Sequence, residues 1–230
     1  MINRFFSYFL LSSVKYLSAV FYRYDINWLN DNLTHKQVDW SNIRLIVLLN
    51  HTSLFEPIFL RIVPNSFLWN ISKNLVIPGA DITMNRPILG KFFRKLVPGV
   101  VSITRKRDFT WSHFLSKIHP KAIVAILPEG RMKRADGLDK HGKEMSVRGG
   151  LADILEGFDN GEALFIYSGG LHHIQTPGQK IPRIFKKVKV NLEKFSIEKY
   201  KENLMDSDFM KFKSKIMDDL NHRLKNLTPK

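Results

Sequence analysis

The chain of 230 residues contains no cysteine. That absence excludes disulfides, thiolate zinc sites and cysteine nucleophiles together, and it fits a reducing compartment. Acidic residues are few: 21 Asp and Glu stand against 36 Lys and Arg, a formal charge of +15. Such an excess favours a polyanion, whether nucleic acid, an anionic bilayer or phosphorylated ligands. No nucleic-acid motif accompanies the charge and the basic residues are spread among apolar segments, so nucleic acid is not an expected partner. Internal repeats, low-complexity tracts and clear domain boundaries are also missing.

Long unbroken apolar runs are lacking too. Residues 1–24 come nearest, but Lys15 and four serines interrupt them before the roughly 20 apolar residues that a spanning helix needs. No A-x-A-like cleavage site marks a signal peptide. What the segment does have is Phe5, Phe6, Phe9, Leu10, Val14, Leu17, Val20 and Phe21 at helical spacing, with Arg4, Ser7, Lys15 and Ser18 on another side. This predicts an amphipathic helix lying in a membrane interface, against the alternative of a helix that closes an ordinary soluble core.

The rest reads as alternating short apolar runs and helical patterns. Leu45–Leu49, Val100–Thr104, Ala122–Leu127 and Ala163–Tyr167 read as strands, with Phe67–Ile71 as a further candidate. Lys186–Val190 alternates like an edge strand with lysines outward. Helices are expected over Ile58–Ile62, Pro87–Val97, Phe109–Ile118 and Leu151–Leu155, and from Ser207 onward. Pro78-Gly79 reads as a turn, and the basic, glycine-containing stretch Arg131–Gly150 as a long functional loop. The alternation predicts an α/β fold with a mostly parallel central sheet flanked by helices.

In such a sheet, side chains just beyond the strand ends reach a common crevice. Three strand ends deliver polar groups: His51 with Glu56, Arg105, and Glu129-Gly130-Arg131. Positions five apart on a continuous helix lie about 140° apart, so His51 and Glu56 meet only if His51 stays in the turn. An imidazole oriented by a carboxylate is a general-base unit. His172-His173, a neighbouring pair without further spaced ligands, is read as structural or surface, and no metal is expected.

Asn50-His51 through Glu56, Ile103-Thr104-Arg105 and Leu127-Pro128-Glu129-Gly130 resemble, in order and spacing, the first three blocks of the 1-acyl-sn-glycerol-3-phosphate (lysophosphatidate) acyltransferase family. The resemblance spans roughly residues 40 to 175 and takes in Lys73 before the proline turn and Arg148-Gly149 after the basic loop. The chain departs from the pattern in three places. Glu56 stands where the family has Asp, Arg131-Met132 where it has Thr-Arg, and the fourth block, Leu164–Gly169, lacks its proline.

The resemblance implies a glycerol-3-phosphate acyltransferase-like fold, with a membrane-associating segment over 1–35 and an acyltransferase domain over 36–230. It implies acyl transfer from acyl-CoA or acyl carrier protein to the hydroxyl of a lysophospholipid, with no bound cofactor. His51 is then the base and Glu56 its orienting partner; Lys73, Arg105, Glu129, Gly130 and Arg148 serve substrate binding, with Arg131 replacing the missing arginine. A peripheral or monotopic location on the cytoplasmic face of an anionic membrane follows. Another lipid acceptor, such as an aminoacyl lipid, and a descendant that binds lipid without turnover are the open alternatives.

Overall fold

The computed structural model describes residues 2–30, 37–104, 106–176 and 178–229. The apolar run Ile43–Leu49 forms β2, and the other strands are β1 (Tyr22–Trp28), β3 (Leu75–Ala80), β4 (Val100–Ile103), β5 (Ile123–Ile126), β6 (Glu162–Ser168) and β7 (Lys186–Ser196). They make one sheet in the order β1-β7-β6-β2-β5-β3-β4. All pairs are parallel except β6 with β7.

A buried parallel strand is apolar on both faces because helices cover both. Alternate residues show this. Leu45, Val47 and Leu49 of β2 and Phe165 and Tyr167 of β6 enter one core with Phe114, Leu151 and Phe212. Ile43, Leu48, Leu164 and Ile166 enter the other with Leu11, Phe59 and Phe67. The second face carries α1 (Ile2–Phe21), the 3-10 turn Glu56–Arg61, α2 (Asn65–Asn74) and α4 (Leu89–Leu96), with the short α3 (Asp81–Met84) leading into α4. The first carries α5 (Phe109–Leu115), α6 (Gly150–Glu156), α7 (Ile197–Leu204) and α8 (Phe209–Asn226).

Several expectations change. Phe67–Ile71 is helical, within α2, and the following strand β3 runs straight through Pro78-Gly79, pairing Pro78 with Val101. Ile58–Ile62 winds as a 3-10 turn because Pro57 follows Glu56 at its start. β7 is an inner strand, since β1 covers its outer side. Ile88, just before α4, is 86% exposed, and Phe92 of α4 also faces out.

α1 packs on the domain through its polar side. Ser7, Leu11, Lys15 and Ser18 face inward, and the exposed face is Phe5, Phe6, Phe9, Tyr16, Leu17 and Val20. The polar side chains are satisfied inside: Ser7 Oγ donates to Leu96 O at 2.7 Å, and Lys15 Nζ donates to Val63 O at 2.8 Å and Asn65 Oδ1 at 2.7 Å. Burial, with Arg61 nearby, lowers the Lys15 pKa. None of the described helices is long and apolar enough to cross a membrane. The helix is therefore fastened to the domain by hydrogen bonds and turns its aromatic side outward.

Lys15→Ala leaves the buried Val63 carbonyl unpaired and is expected to cost about 1–3 kcal/mol, read as a lower urea midpoint. A change of only a few tenths would mean that α1 is not held at this point.

Candidate active site

The site begins at the last residue of a strand-to-turn switch. Asn50 follows β2 with φ +67°, a left-handed conformation that Asn tolerates better than other residues with a side chain. Its Nδ2 donates to Ser168 O, at the end of β6, at 2.8 Å. This sharp turn aims His51 away from the sheet.

Glu56, at the start of the 3-10 turn, reaches back to His51. Its oxygens lie 2.7 and 2.6 Å from His51 Nδ1, and Oε1 also accepts the Thr52 and Ser53 amides at 3.0 and 3.3 Å. A carboxylate can only accept, so Nδ1 carries the proton and Nε2 presents its lone pair. No described residue hydrogen-bonds Nε2, and the ring lines a cavity. Burial alone would lower the His51 pKa. The charge and hydrogen bond of Glu56, with the charge of Glu129, outweigh it and raise the value above the ordinary 6.5.

Glu129 is buried, and its partners are backbone amides. Its oxygens accept the Asn50 amide at 2.7 Å and, more weakly, the His51 amide at 3.4 Å. The carboxylate from the end of β5 thus clasps the turn at the end of β2. Burial pushes its pKa up to about 6, against the opposing pull of the Asn50 amide and His51. The loop beyond it is tied to the same turn by Lys133 N donating to His51 O at 2.8 Å.

The other candidate residues divide. Gly130 has φ +59°, and a Cβ there would come within 3.3 Å of Arg148 Cδ, so a glycine lets the arginine pack over the turn. Both line the cavity with His51 and Glu56. Arg131 does not: its guanidinium pairs with Asp139 at 2.7 Å and donates to Glu144 O at 3.3 Å. The Lys143 and His141 amides with Arg131 hold the Asp139 carboxyl well below the usual range. Arg131 therefore braces its own loop and is not a substitute for the missing arginine. Lys73 is exposed at the end of α2 and does not line the cavity either. Arg105 lies outside the described residues. His172 and His173 each donate from Nε2 to a backbone carbonyl, of Lys133 at 2.8 Å and Lys187 at 2.7 Å, so both ring nitrogens have structural work.

The cavity measures about 560 Å³. Its apolar walls include Leu11, Leu48, Phe59, Ile71 and Leu164. On another side it is bordered by Lys106, Arg107, Arg148 and Lys213. Arg107 and Trp111 donate to Asp153, the latter at 2.9 Å, and Lys213 lies 3.6 Å from the same carboxylate. Lys106, Arg107 and Lys213 escaped the sequence reading. The first two adjoin Arg105 and were legible as part of a basic run, whereas Lys213 comes from α8 and only the fold brings it here.

An imidazole–carboxylate pair at parallel strand ends, opening on an apolar cavity with a cationic border, defines a site for moving a group held on an apolar chain. The family model described as Acyltransferase matches residues 30–168. The chain belongs to this acyltransferase family and is an acyl-transferring enzyme. Among solved structures it is similar to the 1-acyl-sn-glycerophosphate (LPA) acyltransferase PlsC from Thermotoga maritima, with a TM-score of 0.58 and 13% identity over 96% of this chain and 80% of that one. That likeness shows a shared fold. No curated protein matches the chain in sequence.

Glu129→Ala leaves the Asn50 and His51 amides without their acceptor and is expected to destabilise the fold by about 1–3 kcal/mol at pH 5. Because the folded pKa lies above the ordinary 4.5, the stabilisation from Glu129 is complete below 4.5 and falls as pH rises through about 6. Urea unfolding should therefore show a smaller penalty at pH 8 than at pH 5. A penalty that grows with pH would contradict this assignment.

Proposed function

We propose that the protein transfers a fatty acyl group from a thioester, acyl-CoA or acyl carrier protein, to the free hydroxyl of a lysophospholipid, 1-acyl-glycerol-3-phosphate. The observation that carries this reading is His51, with Nδ1 bound to Glu56 and Nε2 unpartnered among the described residues, on the wall of the apolar cavity.

In this reaction Nε2 takes the proton of the acceptor hydroxyl as its oxygen attacks the thioester carbonyl. The tetrahedral intermediate collapses with cleavage of the C–S bond, and the imidazolium returns the proton to the departing sulfur. Glu56 keeps the ring in the required tautomer and stabilises its transient charge. No covalent acyl-enzyme is formed. The long acyl chain of the donor fits the apolar interior, and the cations Lys106, Arg107, Arg148 and Lys213 offer partners to phosphate. Arg105, between β4 and Lys106, is assigned to the same phosphate.

The outward aromatic face of α1 supports peripheral attachment to a bilayer, with the apolar side chains entering the headgroup boundary and the overall positive charge favouring anionic lipid. Both lipid substrates would then enter from the membrane.

Acyl transfer to 1-acyl-glycerol-3-phosphate, measured with labelled acyl-CoA and acyl carrier protein thioesters, tests the reading. His51→Ala should lower kcat by about 10²- to 10⁴-fold, and no transfer by the wild type with either donor contradicts the proposal. Since the base must be neutral, wild-type kcat/KM should rise with pH through a midpoint above 6.5. In Glu56→Gln the raising charge is gone and burial dominates, so the midpoint should move down. An unmoved midpoint would remove His51 from the role of base.

A further inference from the structure

A second cavity, of about 720 Å³, lies beside the catalytic one. Its walls come from α1, through Val14, Leu17 and Phe21, from α4, through Leu89 and Phe92, and from Ile184 before β7. Leu54, Pro57 and Phe93 line both cavities. Leu54, between His51 and the 3-10 turn, Pro57 in that turn and Phe93 of α4 thus form the partition between two mainly apolar chambers. Ser53 fastens that partition to the far side, donating from Oγ to Gln175 Oε1 at 2.9 Å.

The surroundings of the second chamber are unusually apolar for a surface. Val20, Ile88, Ile181 and Phe185 are 69%, 86%, 79% and 70% exposed. Phe185 has φ +59°, a conformation that a bulky side chain rarely adopts. It is held there by its amide, which donates to Phe21 O at 2.7 Å, and by ring contact with Phe21 at 6.2 Å between centroids. Val20, Ile88, Ile181 and Phe185 each adjoin in sequence a residue that lines the chamber: Phe21, Leu89, Pro182 and Ile184. Arg86 lines the chamber, is exposed, and makes no ion pair with any described residue.

We infer that the second chamber receives the acyl chain already carried by the acceptor, while the catalytic cavity receives the chain of the donor. This rests on the proposed transfer to a monoacyl acceptor. The reaction joins two lipids that each bring one long chain, and the two chains must diverge from a single reacting centre at His51. The catalytic cavity has the volume of a site for one such ligand. Its neighbour supplies the second compartment, and its apolar surroundings suit a chain drawn from a bilayer. Arg86 adds a cation where that chain meets the anionic surface. Leu54, at the partition, is where the two chains come closest.

The test uses the wild-type protein and 1-acyl-glycerol-3-phosphate carrying a photoactivatable diazirine at the end of its chain, followed by peptide mapping. Labelling at Leu17, Phe92 or Ile184 is expected. Labelling at Leu48, Ile71 or Leu164, or none in the second chamber, overturns the inference. Labelling in the second chamber by a protein that transfers no acyl group supports the chamber and faults the transfer reading. Transfer with the chamber unlabelled does the reverse. Filling the chamber with Leu17→Trp should raise KM for the long-chain acceptor about tenfold and leave KM for the acyl thioester unmoved. A raised donor KM with an unmoved acceptor KM overturns the assignment of the two chains.

Discussion

The buried carboxylate of Glu129 is the constraint on which the site depends. It comes from the end of β5 and accepts the amides of Asn50 and His51 at the end of β2, so two neighbouring parallel strands are closed at the edge where the chemistry sits. The amides would otherwise be buried donors without acceptors, an arrangement that costs more than a hydrogen bond gives back. A left-handed Asn50 then turns the chain sharply enough for Glu56 to reach His51 from the other side. Two carboxylates thus share one imidazole unequally: Glu56 touches the ring, and Glu129 holds the backbone that bears it. Both raise the His51 pKa against burial.

A second theme is the use of apolar surface on the outside. Membership of the acyltransferase family leaves the acceptor open. α1 buries serines and a lysine, which find partners inside, and turns its aromatic residues out. Such a helix gains little from its outer face in water, which is the arrangement expected of a face with an apolar partner. Ile88 and Phe185 are exposed as well, the latter in ring contact with Phe21 of α1.

Much of this was legible in the sequence where local chemistry decides the outcome. β2, β5 and β6 were readable as short apolar runs because helices cover both faces of a parallel sheet. The meeting of His51 and Glu56 was readable because a turn at the strand end is the only geometry that joins them. Phe67–Ile71 was not, since a short apolar run fits strand and helix equally well until its neighbours are known. β1 was missed because Tyr22–Trp28 follows α1 without a break, although Tyr22, Tyr24, Ile26 and Trp28 alternate with Arg23, Asp25 and Asn27. For α1, periodicity identified the two faces, while the hydrogen-bonding partners that take Ser7 and Lys15 inside come only from the fold. Glu129 resembled a substrate ligand, yet its partners are backbone amides, which leave no trace in side-chain spacing. Lys213 reaches the cavity only through the packing of α8.

The central claim is that the carboxylates fix His51 as a base, with the proton on Nδ1 and the lone pair on Nε2. The most direct measurement is a pH titration of the His51 ring nitrogens by nitrogen-15 NMR in the wild-type protein. The account predicts an Nδ1–H tautomer at high pH and a midpoint above 6.5. An Nε2–H tautomer, or a midpoint below 6.5, would contradict it.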